Sequence, residues 1–91
     1  MEYSENPENP SSVTVSQELD ARGLFCPEPV MMLHNVIADV AVGDVIRVLA
    51  TDPSTQRDFL KFCAFLDHEM LSSEECDGEY HFLIRKNAEE G

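Results

Sequence analysis

Basic residues are scarce in this chain: six lysines and arginines stand against eighteen aspartates and glutamates, for a formal net charge of −12. Such a charge repels phosphate backbones and anionic membrane surfaces alike, which argues against direct nucleic-acid or membrane binding. Cysteine is also sparse. The residues at 26, 63 and 76 are an odd number with no C-x-x-C pair, so neither a disulfide framework nor a zinc knuckle is indicated, and a reducing cytoplasm is the better fit. No segment approaches the apolar length that spans a bilayer, and the first residues carry Glu2, Glu5 and Glu8 without a basic or apolar run, which argues against a secretory signal. A glycine-rich phosphate loop and a basic, aromatic-rich stripe are missing. His34, His68 and His81 are scattered and form no close ligand pair with a cysteine, so no metal site is expected.

What is present is one compact pattern of strands and helices. Residues 1–15 are mostly Ser, Asn, Pro and Glu and are expected to be a disordered acidic tail, residues 16–87 a single domain, and residues 88–91 a fraying end. A short strand is expected from Val15 to Asp20, broken by Arg22-Gly23. Val30, Leu33, Ile37 and Val40 recur at spacings of three and four and form the apolar stripe of a first helix. Val45 to Ala50 is an apolar run broken only by Arg47, as expected of an interior strand. Thr51-Asp52-Pro53-Ser54 opens a second helix, with Asp52 or Ser54 as its cap and Phe59, Phe62, Cys63 and Leu66 as its buried stripe. His68-Glu69 is expected to be a surface turn. Strands from Glu69 to Glu75 and from Glu79 to Lys86 flank Asp77-Gly78, a two-residue hairpin signal. The order β-α-β-α-β-β, with one apolar stripe per helix, predicts an α+β two-layer sandwich with both helices on one face of the sheet.

Chemistry concentrates at Gly23-Leu24-Phe25-Cys26-Pro27-Glu28-Pro29. Proline fits the first turn of a helix because the N–H it lacks would have no intrahelical partner there, so Pro27 and Pro29 mark a helix start with Cys26 as cap. Free N–H groups of that turn and the positive end of the helix dipole favour a thiolate; Glu28 opposes it, and the balance predicts a modestly lowered thiol pKa. Met31 and Met32 lie beside the cysteine in the first turns, as core filling or as an adaptable contact surface, and with Arg22 they are the candidate partner contacts. His34 is eight residues beyond Cys26, roughly 12 Å along a helix, too far to serve as its general base. Cys63, within an apolar stripe, is expected to be a buried small hydrophobe. A single thiol without a resolving cysteine nearby suits covalent carriage of a group better than redox cycling. A buried, purely structural Cys26 is the alternative.

The run Leu19-Asp20-Ala21-Arg22-Gly23-Leu24-Phe25-Cys26-Pro27-Glu28-Pro29-Val30-Met31-Met32 resembles the signature of the TusA family of sulfur carrier proteins. The resemblance continues through Ala50 to Asp58, Phe62-Cys63, His68-Glu69 and Leu83 to Lys86, and so covers nearly everything after the tail. It implies a four-stranded mixed sheet with two helices, and a persulfide carried on Cys26. It further implies a cysteine desulfurase as donor, and a downstream sulfur-relay protein as acceptor on a route to 2-thiouridine at the wobble position of transfer RNA. On this view the chain needs no cofactor, the pyridoxal phosphate belonging to the donor enzyme, and is monomeric when free. Gly23, Pro27, Glu28 and Pro29 support the site. Sulfur oxidation and molybdenum cofactor supply are other destinations served by related carriers. A thiol redox protein using Cys26 with Cys63 or Cys76, and a regulatory interaction module, are readings from other classes.

Overall fold

The computed structural model describes residues 14–89. The expected tail lies outside the described residues except for its last two positions. Six elements follow in the predicted order: β1 (Gln17–Ala21), α1 (Glu28–Ala38), β2 (Val45–Ala50), α2 (Thr55–Leu66), β3 (Glu69–Cys76) and β4 (Glu79–Arg85). The sheet runs β1-β2-β4-β3. β1 lies parallel to β2, whereas β4 runs antiparallel to both of its neighbours, so the sheet is mixed.

Register decides which residues make the core. Leu19 sits opposite Val48 and Ala21 opposite Ala50, while Ile46, Val48 and Ala50 sit opposite Ile84, Phe82 and Tyr80. Side chains alternate across a strand, so these residues share one face. All are buried, together with Leu33 and Ile37 of α1 and Phe59, Phe62 and Cys63 of α2. Both helices therefore cover the same face, as the paired stripes predict. Gln17, grouped with Leu19 by alternation, is exposed at the start of the edge strand. Phe59 and Phe82 meet edge to face at 4.8 Å and join α2 to the sheet.

Two local devices close the layers. Asp77 and Gly78 adopt φ of 54° and 82°, the left-handed pair that a two-residue hairpin requires. At the far end of α1, Lys86 is buried, and its Nζ donates to the Val40 carbonyl at 2.8 Å, placing a cation where that helix's last carbonyls point.

His68 departs from the expected surface turn. Helix α2 ends at Asp67 in the left-handed conformation (φ 67°), and the His68 N–H donates to the Cys63 carbonyl at 2.9 Å. This folds the imidazole inward: His68 is buried, stacked on Phe62 at 5.7 Å, with Nδ1 accepting the Asn87 N–H at 3.1 Å.

Truncation of the ring that joins α2 to the sheet tests this packing. Phe59→Ala is expected to cost about 3–5 kcal/mol, from lost transfer energy and the cavity left behind. Phe65→Ala, at a position 90% exposed, is expected to change stability by less than about 0.5 kcal/mol. Urea midpoints of the two variants check the contrast.

Candidate functional site

Parallel pairing of β1 with β2 brings the loops that follow them out at the same end of the sheet. Ala21 and Ala50 are directly opposed, so Arg22 and Thr51 leave the sheet side by side. Gly23 then turns with φ of +83°, a conformation that favours glycine, and its N–H donates to Thr51 Oγ1 at 2.9 Å. Arg22 turns back onto its own strand, donating to Asp20 Oδ1 at 2.9 Å and to Glu79 Oε2 at 3.3 Å. As a candidate partner contact, it is thus an ion-paired side chain at the sheet edge.

Asp52 ties the two loops together. Its Oδ2 accepts the Cys26 N–H at 2.8 Å, and its Oδ1 accepts the Ser54 N–H at 3.0 Å. Its backbone carbonyl accepts both the Thr55 N–H at 3.0 Å and Thr55 Oγ1 at 2.7 Å. The Ser54 and Cys26 N–H groups hold the Asp52 carboxyl below the usual carboxylate range. The residue read as a helix cap is therefore a clamp between the start of α2 and the cysteine loop; Ser54 is the N-cap and makes no side-chain capping bond.

Cys26 is exposed, but it is not the cap of α1. The N-cap is Pro27, which follows a cis peptide, and Pro29 is buried in the first turn. Of the N–H groups expected to draw charge onto the sulfur, those of Glu28 and Val30, the first is committed elsewhere: Glu28 N–H donates to the Phe25 carbonyl at 2.9 Å. The expected lowering of the thiol pKa is reversed. Asp58 beside the groove pushes it up; partial desolvation adds to this, as does the charge of Asp52, and Ser54 acts in the opposite sense. The opposing charge thus comes from Asp58 and Asp52 rather than from Glu28.

A groove of about 430 Å³ opens beside the sulfur, lined by Val30 and His34 of α1 and by Asp58, Lys61, Phe62, Phe65 and Leu66 of α2. Phe65 stands 90% exposed on its rim. His34, too distant along the helix axis to act as a base, nevertheless shares this groove, its ring set edge-on to Phe62 at 4.7 Å. The two methionines divide: Met31 is exposed, and Met32 packs partly buried against the core. Both border a shallow depression on α1 with Leu24, Glu28 and Asn35. The other cysteines do not line this groove. Cys63 is buried in α2, where desolvation raises its thiol to about 11, and Cys76 is exposed at the end of β3.

A family model described as "Sulfurtransferase TusA" matches residues 17–86. The "Sulfur carrier protein TusA" of Pseudomonas fluorescens (strain SBW25) is 54% identical over 80 residues, covering 88% of this chain and 96% of that protein. The protein of the same name from Pseudomonas aeruginosa (strain LESB58) is 55% identical over 76 residues, covering 84% and 96%. The crystal structure of a SirA-like protein from Desulfitobacterium hafniense superposes with a TM-score of 0.70 at 23% identity, covering 79% of this chain and 99% of that one, and shares the fold. With the family model matched from the first residue of β1 past the end of β4, and more than half of the aligned residues shared with such relatives, the chain belongs to the TusA family.

Proposed function

We propose that this chain, a sulfur carrier of the TusA family, holds its sulfur as a persulfide on Cys26. It takes that sulfur from a cysteine desulfurase and passes it to the next protein of a relay ending in 2-thiouridine at the tRNA wobble position. The observation that carries the reading is the placement of one exposed thiol on a proline-held turn, anchored through its own N–H to Asp52 and bordered by an apolar groove. A rigid backbone and an open sulfur are what a carrier needs, since the same atom must meet two different proteins.

Both steps are thiol exchange. In acceptance, Cys26 loses its proton to water and its thiolate attacks the terminal sulfur of the donor's persulfide. A new S–S bond forms on Cys26 as the donor's S–S bond breaks, and the donor cysteine leaves as a thiolate that takes up a proton. In discharge, the acceptor's thiolate attacks the terminal sulfur on Cys26, and Cys26 is the leaving group. No oxidant or reductant is consumed. Pyridoxal phosphate chemistry belongs to the donor, and this chain is assigned no cofactor of its own. A net charge of −12 favours handing the sulfur to another protein over contact with the tRNA. The reading places the carrier in the cytoplasm, and among the described residues no helix is long and apolar enough to cross a membrane.

Incubation with a cysteine desulfurase and cysteine is expected to add one sulfur atom, located on the Cys26 peptide by mass spectrometry and absent from Cys26→Ser. Uptake that persists in the serine variant contradicts the assignment. In a strain lacking the gene, 2-thiouridine derivatives are expected to disappear from the tRNA nucleosides and to return with the wild-type chain but not with Cys26→Ser. Unchanged thiolation would redirect the sulfur to oxidation or to molybdenum cofactor supply.

A further inference from the structure

The backbone of the cysteine loop is held from outside at two points. Gly23 N–H donates to Thr51 Oγ1 at 2.9 Å and Cys26 N–H donates to Asp52 Oδ2 at 2.8 Å, so the loop after β2 grips both ends of the stretch that carries the sulfur. Between these tethers Leu24 N–H donates to the Ala21 carbonyl at 3.3 Å, and just beyond them Glu28 N–H donates to the Phe25 carbonyl at 2.9 Å. Asp52 is itself fixed. Its Oδ1 accepts the Ser54 N–H at 3.0 Å, and its carbonyl accepts the Thr55 N–H at 3.0 Å and the Thr55 hydroxyl at 2.7 Å, where α2 begins. One carboxylate thus has one oxygen on the sulfur-bearing loop and the other on the entry to the second helix.

We infer that Asp52 is a positioning residue for sulfur transfer: by holding the Cys26 N–H it fixes the sulfur relative to the body of the domain, so that a docked partner's sulfur meets it in line. In acceptance the Cys26 thiolate attacks the terminal sulfur of the donor's persulfide. The new S–S bond forms as the donor's bond breaks, and the donor cysteine leaves as a thiolate that takes up a proton. Three sulfurs must line up for that step. A partner docked on the domain fixes two of them; the third is fixed only if the loop that bears it is. Helix α1 begins at Glu28, so the Cys26 N–H is held by Asp52 and not by the helix. Discharge needs the same alignment with attacker and leaving group exchanged, and one hydrogen bond therefore serves both steps. The inference rests on Cys26 as the sulfur-bearing residue, the reading proposed above.

The test compares wild type with Asp52→Ala. Backbone hydrogen exchange reads the tether: a hydrogen bond to a charged acceptor is worth roughly a factor of ten in the population it holds, so the wild-type Cys26 amide is expected to exchange roughly tenfold more slowly than an unstructured one. In Asp52→Ala that protection is expected to vanish while the amides of Leu33 and Ile37, inside α1, stay protected and show that the fold is kept. Loading by a cysteine desulfurase and cysteine, with the carrier as varied substrate, is expected to lose roughly tenfold in kcat with KM kept. Alkylation of Cys26 by iodoacetamide, scored by mass spectrometry against Cys76, is expected to be no slower, because a small reagent meets an exposed thiol from any direction and loss of a nearby negative charge does not lower the thiolate fraction. Unchanged loading overturns the role of Asp52, as does a loss carried by KM, which marks a docking contact, or a parallel loss of alkylation, which marks an occluded thiol. A wild-type Cys26 amide exchanging at the unstructured rate overturns the tether on its own, whatever becomes of the variant. If even wild type takes up no sulfur, the carrier reading falls and this role with it, while the amide still reports whether Asp52 fixes the loop.

Discussion

The parallel pairing of β1 with β2 is the constraint on which the site depends. Opposing Ala21 to Ala50 sends two loops, separated by a whole helix in sequence, out of the sheet at one point. Asp52, in the loop that leads into α2, can then reach the Cys26 N–H. Neither loop has this geometry alone: the cysteine loop lacks an internal partner for its central N–H, and Asp52 would otherwise spend its carboxylate on the start of its own helix. The apolar face shared by Leu19, Val48 and Phe82 holds the register, so the core determines where the chemistry sits.

Electrostatics gives the site a character that its helix would not suggest. A cysteine next to a helix start ordinarily gains from unpaired N–H groups. Here the Glu28 N–H is occupied by the Phe25 carbonyl, and the carboxylates of Asp52 and Asp58 stand on the side of the sulfur. The buried Cys63 illustrates the other route to an inert thiol, desolvation, which serves packing and not transfer.

Much of the fold was legible because the signals were periodic and local. The stripes Val30-Leu33-Ile37 and Phe59-Phe62-Cys63 named the buried faces of both helices, and Asp77-Gly78 named the hairpin. Cys26 was legible because proline on both sides of Glu28 is a rare local pattern. Asp52 was present in the sequence only as a candidate helix cap, since its approach to Cys26 depends on which strands are neighbours, which the order of elements alone does not fix. Once β1 and β2 are taken as parallel neighbours, the loop after β2 becomes the place to look for whatever faces the cysteine. His68 was misjudged for a related reason: a polar residue at a helix exit is usually exposed, but the left-handed Asp67 turns this one onto Phe62. The expected direction of the thiol pKa failed with the cap assignment, because α1 begins two residues after the sulfur.

Carriage is the central claim, and discharge tests it more directly than uptake. The chain is loaded with radiolabelled sulfur by a cysteine desulfurase, separated from the donor, and mixed with the purified acceptor protein of the relay. The account predicts that label leaves the Cys26 peptide and appears in equal amount on a cysteine of the acceptor, with none on Cys63 or Cys76. Label that stays on the chain in the presence of the acceptor, or that maps to Cys76, would contradict it.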